Sequence, residues 1–461
     1  MRVSRVLVAN RGEIAVRILR ACRAMGLDTV LAASQADLCS LPARLAGRVI
    51  CIGPAKAADS YLNIGAIVTA ALATGADTVH PGYGFLAESA ALAEACAAHG
   101  LTFVGPRPDQ IRQMGNKLEA RALAAGLGLP TLPGSEPVRS VDQALAAAAR
   151  IGFPVMLKAA AGGGGRGMKV VAEAADLERV VASAAAEARA AFGDDTLYLE
   201  RYIAYARHVE VQVLGDRFGN VIHLGERDCS LQRRHQKLVE EAPAPAIAET
   251  LRQAIREAAV TLARGIGYEN AGTVEFIVDQ EAGSFYFLEA NTRIQVEHPV
   301  TEAITGLDLV QEQFRIARGE RLRFSQADIT FGGHAIECRI TAEVPAEGFR
   351  PDPGRIDIWT PPEGPGIRLD THCHAGYTVP VFYDSLLAKL IAHGRDRDEA
   401  LERMRGALGR FQIAGIGTTA PFLHQVMSDP DFVAGRVSTR LVEQMIGRIQ
   451  AETESGVEQA P

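Results

Sequence analysis

The first 115 residues alternate between short apolar runs and amphipathic stretches, which restricts the possible folds more than any other feature of the chain. VLVAN near the N-terminus is typical of a buried strand, RGEIAVRILRACRAMG has the apolar spacing of a helix, and TVLAAS predicts a second strand. Similar strand and helix patterns continue as far as TFVGP. Strands that alternate with helices indicate a parallel sheet covered on both faces. We therefore expect a doubly wound α/β domain over residues 1–115.

Two changes of pattern divide the rest of the chain. From residue 116 an Ala-rich helix pattern and a Pro-punctuated link lead into several strands, which predicts a second domain over 116–330. From residue 331 a set of strands and a final α/β stretch predict a third domain over 331–446, followed by a polar tail at 447–461. The chain is thus expected to be a multidomain protein of the α/β and α+β classes.

The composition excludes several classes of protein. Hydrophobic residues make up 48% and charged residues 22% of the 461 residues, which argues against a largely disordered chain. The formal net charge of -7 argues against a nucleic-acid partner bound by phosphate neutralisation. No apolar run approaches the roughly 20 residues needed to cross a bilayer, so we expect a cytoplasmic protein without a membrane partner. The seven cysteines include no CxxC pair, so neither a disulfide framework nor a structural zinc site is expected.

A run of glycines separates two predicted strands. Residues 162–167 read GGGGRG, which formally matches the GxGxxG pattern of dinucleotide-binding proteins. That pattern requires a helix to follow, whereas the strand pattern MKVV follows here, so a dinucleotide site is rejected. With Lys158 just before it, the segment is typical of a hairpin whose backbone N–H groups close over phosphates. A plain mobile loop is the alternative.

Polar residues alternate with apolar ones along FLEANTRIQVEH. In an extended segment alternate side chains point to one face. The sequence therefore predicts one functional face formed by Glu289, Asn291, Arg293, Gln295 and Glu297. The alternative is an ordinary solvent-facing strand, in which the same alternation carries no ligand.

Two acidic residues are expected to meet across a hairpin in the same region. Glu275 lies on the preceding predicted strand, and a turn at residues 283–284 would place it beside Glu289. Asn291 adds a third oxygen one pleat further on. This all-oxygen set suits Mg²⁺ or Mn²⁺ that also holds the phosphates of ATP.

A basic cluster, RRHQK at residues 233–237, lies just beyond Glu226, Arg227 and Asp228. In an acidic protein such a cluster is not a nucleic-acid patch. It predicts a site for an anionic substrate or a transferring phosphoryl group, and a solvated surface cluster is the alternative.

Several long motifs together resemble those of biotin carboxylases, members of the ATP-grasp superfamily. The resemblance spans nearly the whole chain and is carried by ANRGEIAVRI, HPGYGFLAE, GGGGRGM, RHVEVQV, ERDCSLQRRHQK, NTRIQVEHPVTE, GHAIECRI and AGYTVPVFYDS. The glycines and acids alone would indicate only an ATP-grasp protein, whereas RRHQK with RIQVEHPVTE and ECRI indicates biotin carboxylation. The resemblance implies a Rossmann-like N-terminal domain, an ATP-grasp domain with a mobile glycine-rich lid at about 131–203, and a biotin carboxylase C-terminal domain.

The resemblance also implies which residues bind the cofactors. Members of the family use ATP and two Mg²⁺ or Mn²⁺ ions to carboxylate carrier-bound biotin with bicarbonate, through carboxyphosphate. The implied metal ligands are Glu275, Glu289 and Asn291. The residues implied at the nucleotide site are Lys117, Lys158, Gly164, Gly165, Glu200, Arg201, Ile203, His208, Gln232, His235, Glu275 and Glu289.

The remaining implied residues act on bicarbonate and biotin. Glu297 would deprotonate bicarbonate, Arg339 would stabilise the enolate oxygen of biotin, and Tyr83 would border the biotin pocket. Bicarbonate itself would be held by Lys237, Arg293, Gln295 and the backbone N–H of Val296. The implied catalytic set is therefore Lys237, Arg293, Glu297 and Arg339.

The absence of an AMKM-type biotinylation sequence implies partners for this chain. We expect a separate biotin carboxyl carrier protein, carboxyltransferase subunits and a homodimer. The expected function is the first half-reaction of acetyl-CoA carboxylase or of another acyl-CoA carboxylase. The alternatives are another ATP-grasp ligase that joins a carboxylate to an amine, and a non-catalytic nucleotide-binding paralogue.

Overall fold

The computed structural model describes residues 3–160 and 168–448. Gly164 and Gly165, both expected at the nucleotide site, lie outside the described residues. The strands of the N-terminal region are β1 (Arg5–Val8), β2 (Asp28–Ala33), β3 (Arg48–Cys51), β4 (Thr78–His80) and β5 (Thr102–Phe103). The helices there are α1 (Gly12–Ala24), α2 (Leu41–Leu45), α3 (Ile64–Thr74), α4 (Ala90–Ala98) and α5 (Pro108–Gly115).

These five strands form a parallel sheet in the order β3-β2-β1-β4-β5. The strand order reverses between β1 and β4, and ligands of such sheets bind beyond the carboxyl ends of the strands at that point. Asn10 follows β1 and donates from Nδ2 to the carbonyls of Pro81 and Tyr83, which follow β4, both at 2.7 Å. The doubly wound arrangement is therefore confirmed, and its switch point lies beside Tyr83.

A small sheet is built from β6 (Val155–Ala159), β7 (Met168–Val171) and β8 (Leu197–Arg201), in the antiparallel order β7-β6-β8. Helix α6 (Lys117–Gly126) precedes it, and α7 (Val141–Ile151) and α8 (Ala174–Phe192) cover it with their own apolar core. The glycine run joins β6 to β7, so the two strands that flank it form a hairpin, as the sequence predicts.

The largest sheet contains eight antiparallel strands, in the order β13-β12-β9-β10-β11-β14-β19-β18. Its strands are β9 (Ala206–Gly215), β10 (Val221–Arg233), β11 (Gln236–Ala242), β12 (Asn270–Asp279), β13 (Ser284–Asn291), β14 (His334–Thr341), β18 (Ile367–Thr371) and β19 (Leu386–Gly394). Strands on both sides of residue 330 share this sheet, because β11 pairs with β14.

The short remaining strands are β15 (Glu343–Val344), β16 (Arg350–Pro351), β17 (Ile358–Thr360) and β20 (Gln412–Ala414). The remaining helices are α9 (Glu249–Gly265), α10 (His298–Thr305), α11 (Leu309–Arg318), α12 (Arg397–Arg410), α13 (Ala420–Val426) and α14 (Pro430–Val433). Helices α12 and α13 cover the β14–β19 part of the large sheet with an apolar core.

One predicted helix is shorter in the structure. The sequence pattern predicts a helix over 87–99, whereas α4 begins at Ala90. Ser89 is its N-cap, and the Ser89 hydroxyl accepts a hydrogen bond from the Leu92 backbone N–H at 3.2 Å. A serine at this position satisfies an N–H that the first turn leaves unpaired, so it sets the start of the helix.

Candidate active site

The hairpin of β12 and β13 carries the three predicted metal ligands. Glu275 on β12 lies directly opposite Glu289 on β13, and Thr273 lies opposite Asn291. Residues that face each other on adjacent strands have neighbouring side chains. The Asn291 amide donates to Glu275 Oε1 at 2.8 Å. The structure therefore brings the two carboxylates and the Asn291 oxygen to one end of this hairpin.

The polar segment that follows is not one extended strand, and that part of the prediction is wrong. Strand β13 ends at Asn291, and residues 292–297 turn before α10 begins at His298. The Thr292 backbone N–H donates to Glu88 Oε1 at 3.0 Å instead of to a strand. Pro299 occupies the first turn of α10, a position that proline favours. The bend still directs Gln295 back to Glu275, with 2.8 Å between the Gln295 amide and Glu275 Oε1.

Lys237 lies among three buried carboxylates. Its Nζ is 2.6 Å from Glu297 Oε1, 2.7 Å from Glu210 Oε2 and 3.2 Å from Glu275 Oε1. Burial lowers the pKa of this ammonium, but the adjacent Cys229 and the carboxylates raise the pKa of Lys237 well above its ordinary value. Lys237 is therefore a fixed positive charge that can bind an anion.

The turn before Lys237 places the basic cluster at the cleft. Gln232 and Lys237 are paired across β10 and β11, and Arg234 and His235 between them have φ angles of 48° and 68°. Two successive residues with positive φ are typical of a tight hairpin turn. The cleft is lined in part by Gln232, His235 and Lys237. The sequence prediction of an anion site at RRHQK is thus compatible with this placement.

Glu297 is held by cations on both of its oxygens. Lys237 contacts Oε1, and Arg339 Nη2 contacts Oε2 at 2.9 Å. Burial raises the pKa of Glu297, but Lys237 and Arg339 more than offset this effect and keep the pKa well below its usual range. Arg339 is itself anchored, since its Nε donates to Glu240 Oε1 at 2.6 Å. Glu297 is therefore an ionised carboxylate at neutral pH.

Arg293 and Gln295 flank the same region. The Arg293 guanidinium donates to Glu88 at 2.9 Å and to Asn291 Oδ1 at 3.0 Å. Gln295 accepts a hydrogen bond from Arg227 Nη2 at 2.8 Å. Arg293 and Gln295 line the cleft together with Val296. The four residues predicted to hold bicarbonate, Lys237, Arg293, Gln295 and Val296, are thus neighbours.

The predicted nucleotide residues surround the other end of the cleft. Lys158 Nζ forms an ion pair with Glu200 on the neighbouring strand β8, and Lys117 Nζ lies 3.2 Å from Glu289 Oε2. His208 Nε2 lies 2.9 Å from Glu275 Oε2. The cleft is also lined by Arg201 and Ile203, together with Lys117, Lys158, Glu200, His208 and Glu289.

Tyr83 enters the cleft from the switch point of the parallel sheet. Its hydroxyl donates to Glu13 Oε1, on the first turn of α1. Both Tyr83 and Glu13 line the cleft, beside Arg339 and Val296. The N-terminal region therefore forms one wall of the site.

Several residues without a predicted role join the site. Glu210 pairs with Lys237, and its other oxygen accepts from Arg227 Nε at 2.6 Å. Arg227 has no exposed side-chain surface and bonds to Gln295 as well. The sequence contained a signal for Glu210, because it alternates with His208 along RHVEVQV and so shares its face of β9. Glu88 had no such signal, because its contact with Arg293 depends on the tertiary fold.

The cleft has a volume of about 900 Å³ and can accommodate a nucleotide and a second substrate. Its donor set also fits a hard divalent cation. Glu275, Glu289 and Asn291 offer oxygens on one hairpin, the ligand type that Mg²⁺ and Mn²⁺ prefer. In the described residues, Lys117 and Lys237 contact these carboxylates, so cations already balance their charge.

Comparisons with known proteins agree with this arrangement. Residues 2–111 match the family "Biotin carboxylase, N-terminal domain", residues 116–325 match "Carbamoyl-phosphate synthase L chain, ATP binding domain", and residues 337–444 match "Biotin carboxylase C-terminal domain". The chain is 52% identical to a biotin carboxylase of Nostoc sp., over 96% of this chain and 100% of the relative. It is 49% identical to a pyruvate carboxylase subunit of Methanothermobacter thermautotrophicus, over 97% of this chain and 91% of the relative.

Solved structures show the same fold. A biotin carboxylase complex from Campylobacter jejuni is 46% identical, with a TM-score of 0.94 over 96% of this chain and 99% of that chain. The biotin carboxylase domain of Hydrogenobacter thermophilus 2-oxoglutarate carboxylase, described as a dimer with MgADP, ADP and bicarbonate, is 47% identical. Its TM-score is 0.93 over 96% of this chain and 98% of that chain.

The parallel N-terminal sheet, the glycine-run hairpin and the acidic hairpin at one cleft define an ATP-grasp enzyme. The family matches and the near full-length identities go further. The chain belongs to the biotin carboxylase family. Among the described residues no helix is long and apolar enough to span a membrane.

Proposed function

We propose that the protein uses ATP to carboxylate biotin on a separate carrier protein, with bicarbonate as the carbon source and carboxyphosphate as the intermediate. The observation that carries the proposal is the position of Glu297. Its carboxylate is ionised and lies between Lys237 and Arg339 at the same cleft as the acidic hairpin. The proposal is supported because the residues proposed as the base, the anion site and the phosphate site line the same cavity.

The bicarbonate step follows from the charges around Glu297. Lys237 and the planar fork of Arg293 would bind the anion, with Gln295 and the Val296 N–H as further partners. Glu297 would then take the proton of bicarbonate while an oxygen of the anion attacks the γ-phosphorus of ATP, which breaks the bond to the β-phosphate oxygen and releases ADP. Bicarbonate is a weak nucleophile until it loses that proton, so the base is essential to the step.

The nucleotide would lie toward Lys117 and Lys158, whose ammonium groups suit its phosphates. Glu275, Glu289 and Asn291 would hold Mg²⁺ or Mn²⁺, and two ions are proposed. Bound there, the metal neutralises charge on the phosphates and helps to align them. Glu200, Arg201, Ile203, His208, Gln232 and His235 would complete the nucleotide site, as would Gly164 and Gly165 outside the described residues.

Carboxyphosphate would break down to CO₂ and phosphate. The phosphate would remove the proton from N1 of biotin to give the enolate, and N1 would then bond to the carbon of CO₂. Arg339 would stabilise the enolate oxygen that forms, as a cation already fixed in place by Glu240. Tyr83 would border the biotin ring. Both Arg339 and Tyr83 line the cleft at its junction with the N-terminal wall.

The partners and the setting belong to the same proposal. A biotin carboxyl carrier protein would present the biotin, and a carboxyltransferase would use the product in the first half-reaction of an acyl-CoA carboxylase. We propose acetyl-CoA or another acyl-CoA as the acceptor, and the pyruvate carboxylase relative supports pyruvate as the competing choice. We further propose a homodimer and a cytoplasmic location.

The test is ATP hydrolysis by the purified protein with Mg²⁺ and bicarbonate, with and without free biotin. We expect biotin to increase the rate, and Glu297→Gln to lower the stimulated rate by about 10²–10⁴-fold, the contribution typical of a general base. Glu347→Gln changes an exposed acid that pairs with Arg350, and is the control. A rate that biotin does not change, together with parental activity of Glu297→Gln, would show that the proposed reaction is wrong.

A further inference from the structure

Lys389 on β19 has no role in the reaction proposed above, yet it contacts the bicarbonate segment. Its Nζ donates to the backbone carbonyl of Val296 at 2.8 Å, and its side chain has no exposed surface. Val296 lies between Gln295 and Glu297, two residues of the proposed bicarbonate site. A buried ammonium therefore holds the backbone at the point where the substrate would bind.

The register of the large sheet shows how this contact arises. Lys389 lies directly opposite Arg339 across β14 and β19. Side chains at paired positions project from the same face of a sheet. Arg339 contacts the Glu297 carboxylate at 2.9 Å, and Lys389 contacts the Val296 carbonyl. Two cations on adjacent strands thus hold two consecutive residues of the segment, one by its side chain and the other by its backbone.

The other side of Lys389 leads to the N-terminal wall. Its Nζ lies 3.2 Å from Glu13 Oε2, and Glu13 Oε1 accepts the hydrogen bond from the Tyr83 hydroxyl. Asp370, opposite Lys389 on β18, is 4.0 Å away. Lys389 therefore joins three parts of the chain: α1, the large sheet and the segment that contains Val296.

Stabilisation of the fold alone does not explain why the Lys389 ammonium is buried. Removing an ammonium from water is costly, and replacing a buried ion pair by apolar residues of similar volume is often neutral or stabilising. A buried cation is useful, however, where a backbone must keep one position. The carbonyl contact fixes the main chain next to Glu297, and small displacements of reacting groups reduce rates strongly.

We propose that Lys389 is a positioning residue for bicarbonate: it fixes the Val296 backbone, and its ion pair with Glu13 connects that segment to Tyr83. This inference rests on the proposed function. Lys389 does not touch the substrate in this account. It acts by keeping the Val296 N–H and the Glu297 carboxylate close to the cations that would bind the anion.

The main test compares Lys389→Met combined with Glu13→Gln against the parent protein. Methionine keeps nearly the length of the side chain without the donor, and glutamine leaves no unpaired carboxylate behind. We expect the KM for bicarbonate to rise about tenfold, the loss typical of a charge-assisted hydrogen bond, while the KM for ATP stays unchanged. Glu13→Gln alone keeps the Val296 contact and is expected to raise the KM for bicarbonate by less than the double variant does.

Arg397→Met is the control for loss of a partly buried cation away from the cleft. Arg397 pairs with Glu241 and donates to the carbonyls of Phe432 and Val433, so it has the same kinds of contact as Lys389. We expect this variant to lower the melting temperature without raising the KM for bicarbonate. If it raises that KM as much as the double variant does, the effect is general loosening and the inference is wrong.

The inference also fails if the double variant keeps the parental KM for bicarbonate, or if Glu13→Gln alone raises it equally. Should the double variant not fold, Lys389→Gln replaces it, because glutamine is one bond shorter and still polar toward Glu13, and the same rise is expected. Biotin-stimulated ATP hydrolysis by the parent distinguishes failure of the proposed function from failure of the proposed role of Lys389. Its absence refutes the proposed function, whereas its presence with an unchanged KM in the variants refutes only the role of Lys389.

Discussion

Glu240 and Glu241 are neighbours on β11 with opposite surroundings, and replacing each by glutamine is expected to change stability in opposite directions. Successive residues of a strand face opposite sides of the sheet. Glu240 faces the side of the sheet on which Arg339 lies, and it accepts a hydrogen bond from Arg339. Glu241 faces the other side and lies 2.9 Å from His334 Nε2 and 2.7 Å from Arg397 Nε.

The different surroundings shift the pKa values of Glu240 and Glu241 in opposite directions. Burial raises the pKa of Glu240 from 4.5 to about 7, because Arg339 offsets only part of that effect and the charge of Glu297 adds to it. Burial acts on Glu241 as well, but His334 and Arg397 lower its pKa to about 2. At neutral pH, Glu240 is therefore partly protonated and Glu241 is ionised.

The sign of each contribution to stability follows from comparison with the unfolded chain, where both pKa values are near 4.5. Folded Glu240 binds its proton more tightly, so its contribution is present below about pH 4.5 and is lost as the pH rises through about 7. Folded Glu241 binds its proton less tightly, so its contribution is present above about pH 4.5 and is lost as the pH falls through about 2. One pKa unit corresponds to about 1.4 kcal/mol, so each effect is at most about 3.5 kcal/mol.

Glutamine imitates the protonated acid and does not titrate. Glu240→Gln is therefore expected to gain stability over the parent as the pH is raised from about 5 to about 8.5, by up to about 3 kcal/mol. Glu241→Gln is expected to lose a similar amount at neutral pH, because His334 and Arg397 lose their carboxylate. The assay is the melting temperature of the parent and of both variants at about pH 5, 7 and 8.5, the range over which Glu240 titrates. A constant difference between Glu240→Gln and the parent over this range, or a growing deficit, would refute the reasoning.

Two further changes test the acidic hairpin and the buried arginine. Glu289→Gln removes one predicted metal ligand and is expected to raise the Mg²⁺ concentration needed for half-maximal ATP hydrolysis by about tenfold or more, with Glu281→Gln at the exposed hairpin turn as the control. Arg227→Met leaves Glu210 and Gln295 without their shared partner and is expected to destabilise the protein by about 3–5 kcal/mol, measured by denaturant unfolding. An unchanged Mg²⁺ requirement or an unchanged midpoint of unfolding would contradict the respective prediction.

The fold was predictable where the sequence pattern is local. Strand and helix alternation predicts the parallel N-terminal sheet, and the strand after the glycine run excludes a dinucleotide site. The pairing of β11 with β14 was not predictable, because strand patterns do not specify partners that are about 100 residues apart. The predicted start of α4 was wrong because the apolar pattern begins before Ser89. The actual start depends on a single side chain, the Ser89 hydroxyl that caps the helix.

The candidate site was predictable to the extent that its residues alternate along single strands. The pairing of Glu275 with Glu289 follows from a hairpin and a period of two. The period of two does not predict the structure after Asn291. Glu88 binds the backbone there, and the chain bends. Lys389 and Glu13 could not be predicted from pattern, since each looks like an ordinary charged residue until the fold buries it.

The shared sheet explains why the two halves of the proposed reaction can be close without a domain movement to assemble them. Glu275 lies on β12 and Arg339 on β14, and β9, β10 and β11 connect these strands by continuous pairing. Neighbouring strands are about 4.8 Å apart, so the path along the sheet from β12 to β14 is about 19 Å. Lys237 nevertheless contacts both Glu275 and Glu297, and Glu297 contacts Arg339, so long side chains bridge this distance across the face of the sheet. The bent segment 292–297 lies against this face and places its last residue, Glu297, between Lys237, which contacts the proposed metal ligand Glu275, and Arg339, which is proposed to act on biotin. The alternating pattern failed to predict this bend. The bend is therefore the element that lets the Glu297 carboxylate contact both Lys237 and Arg339.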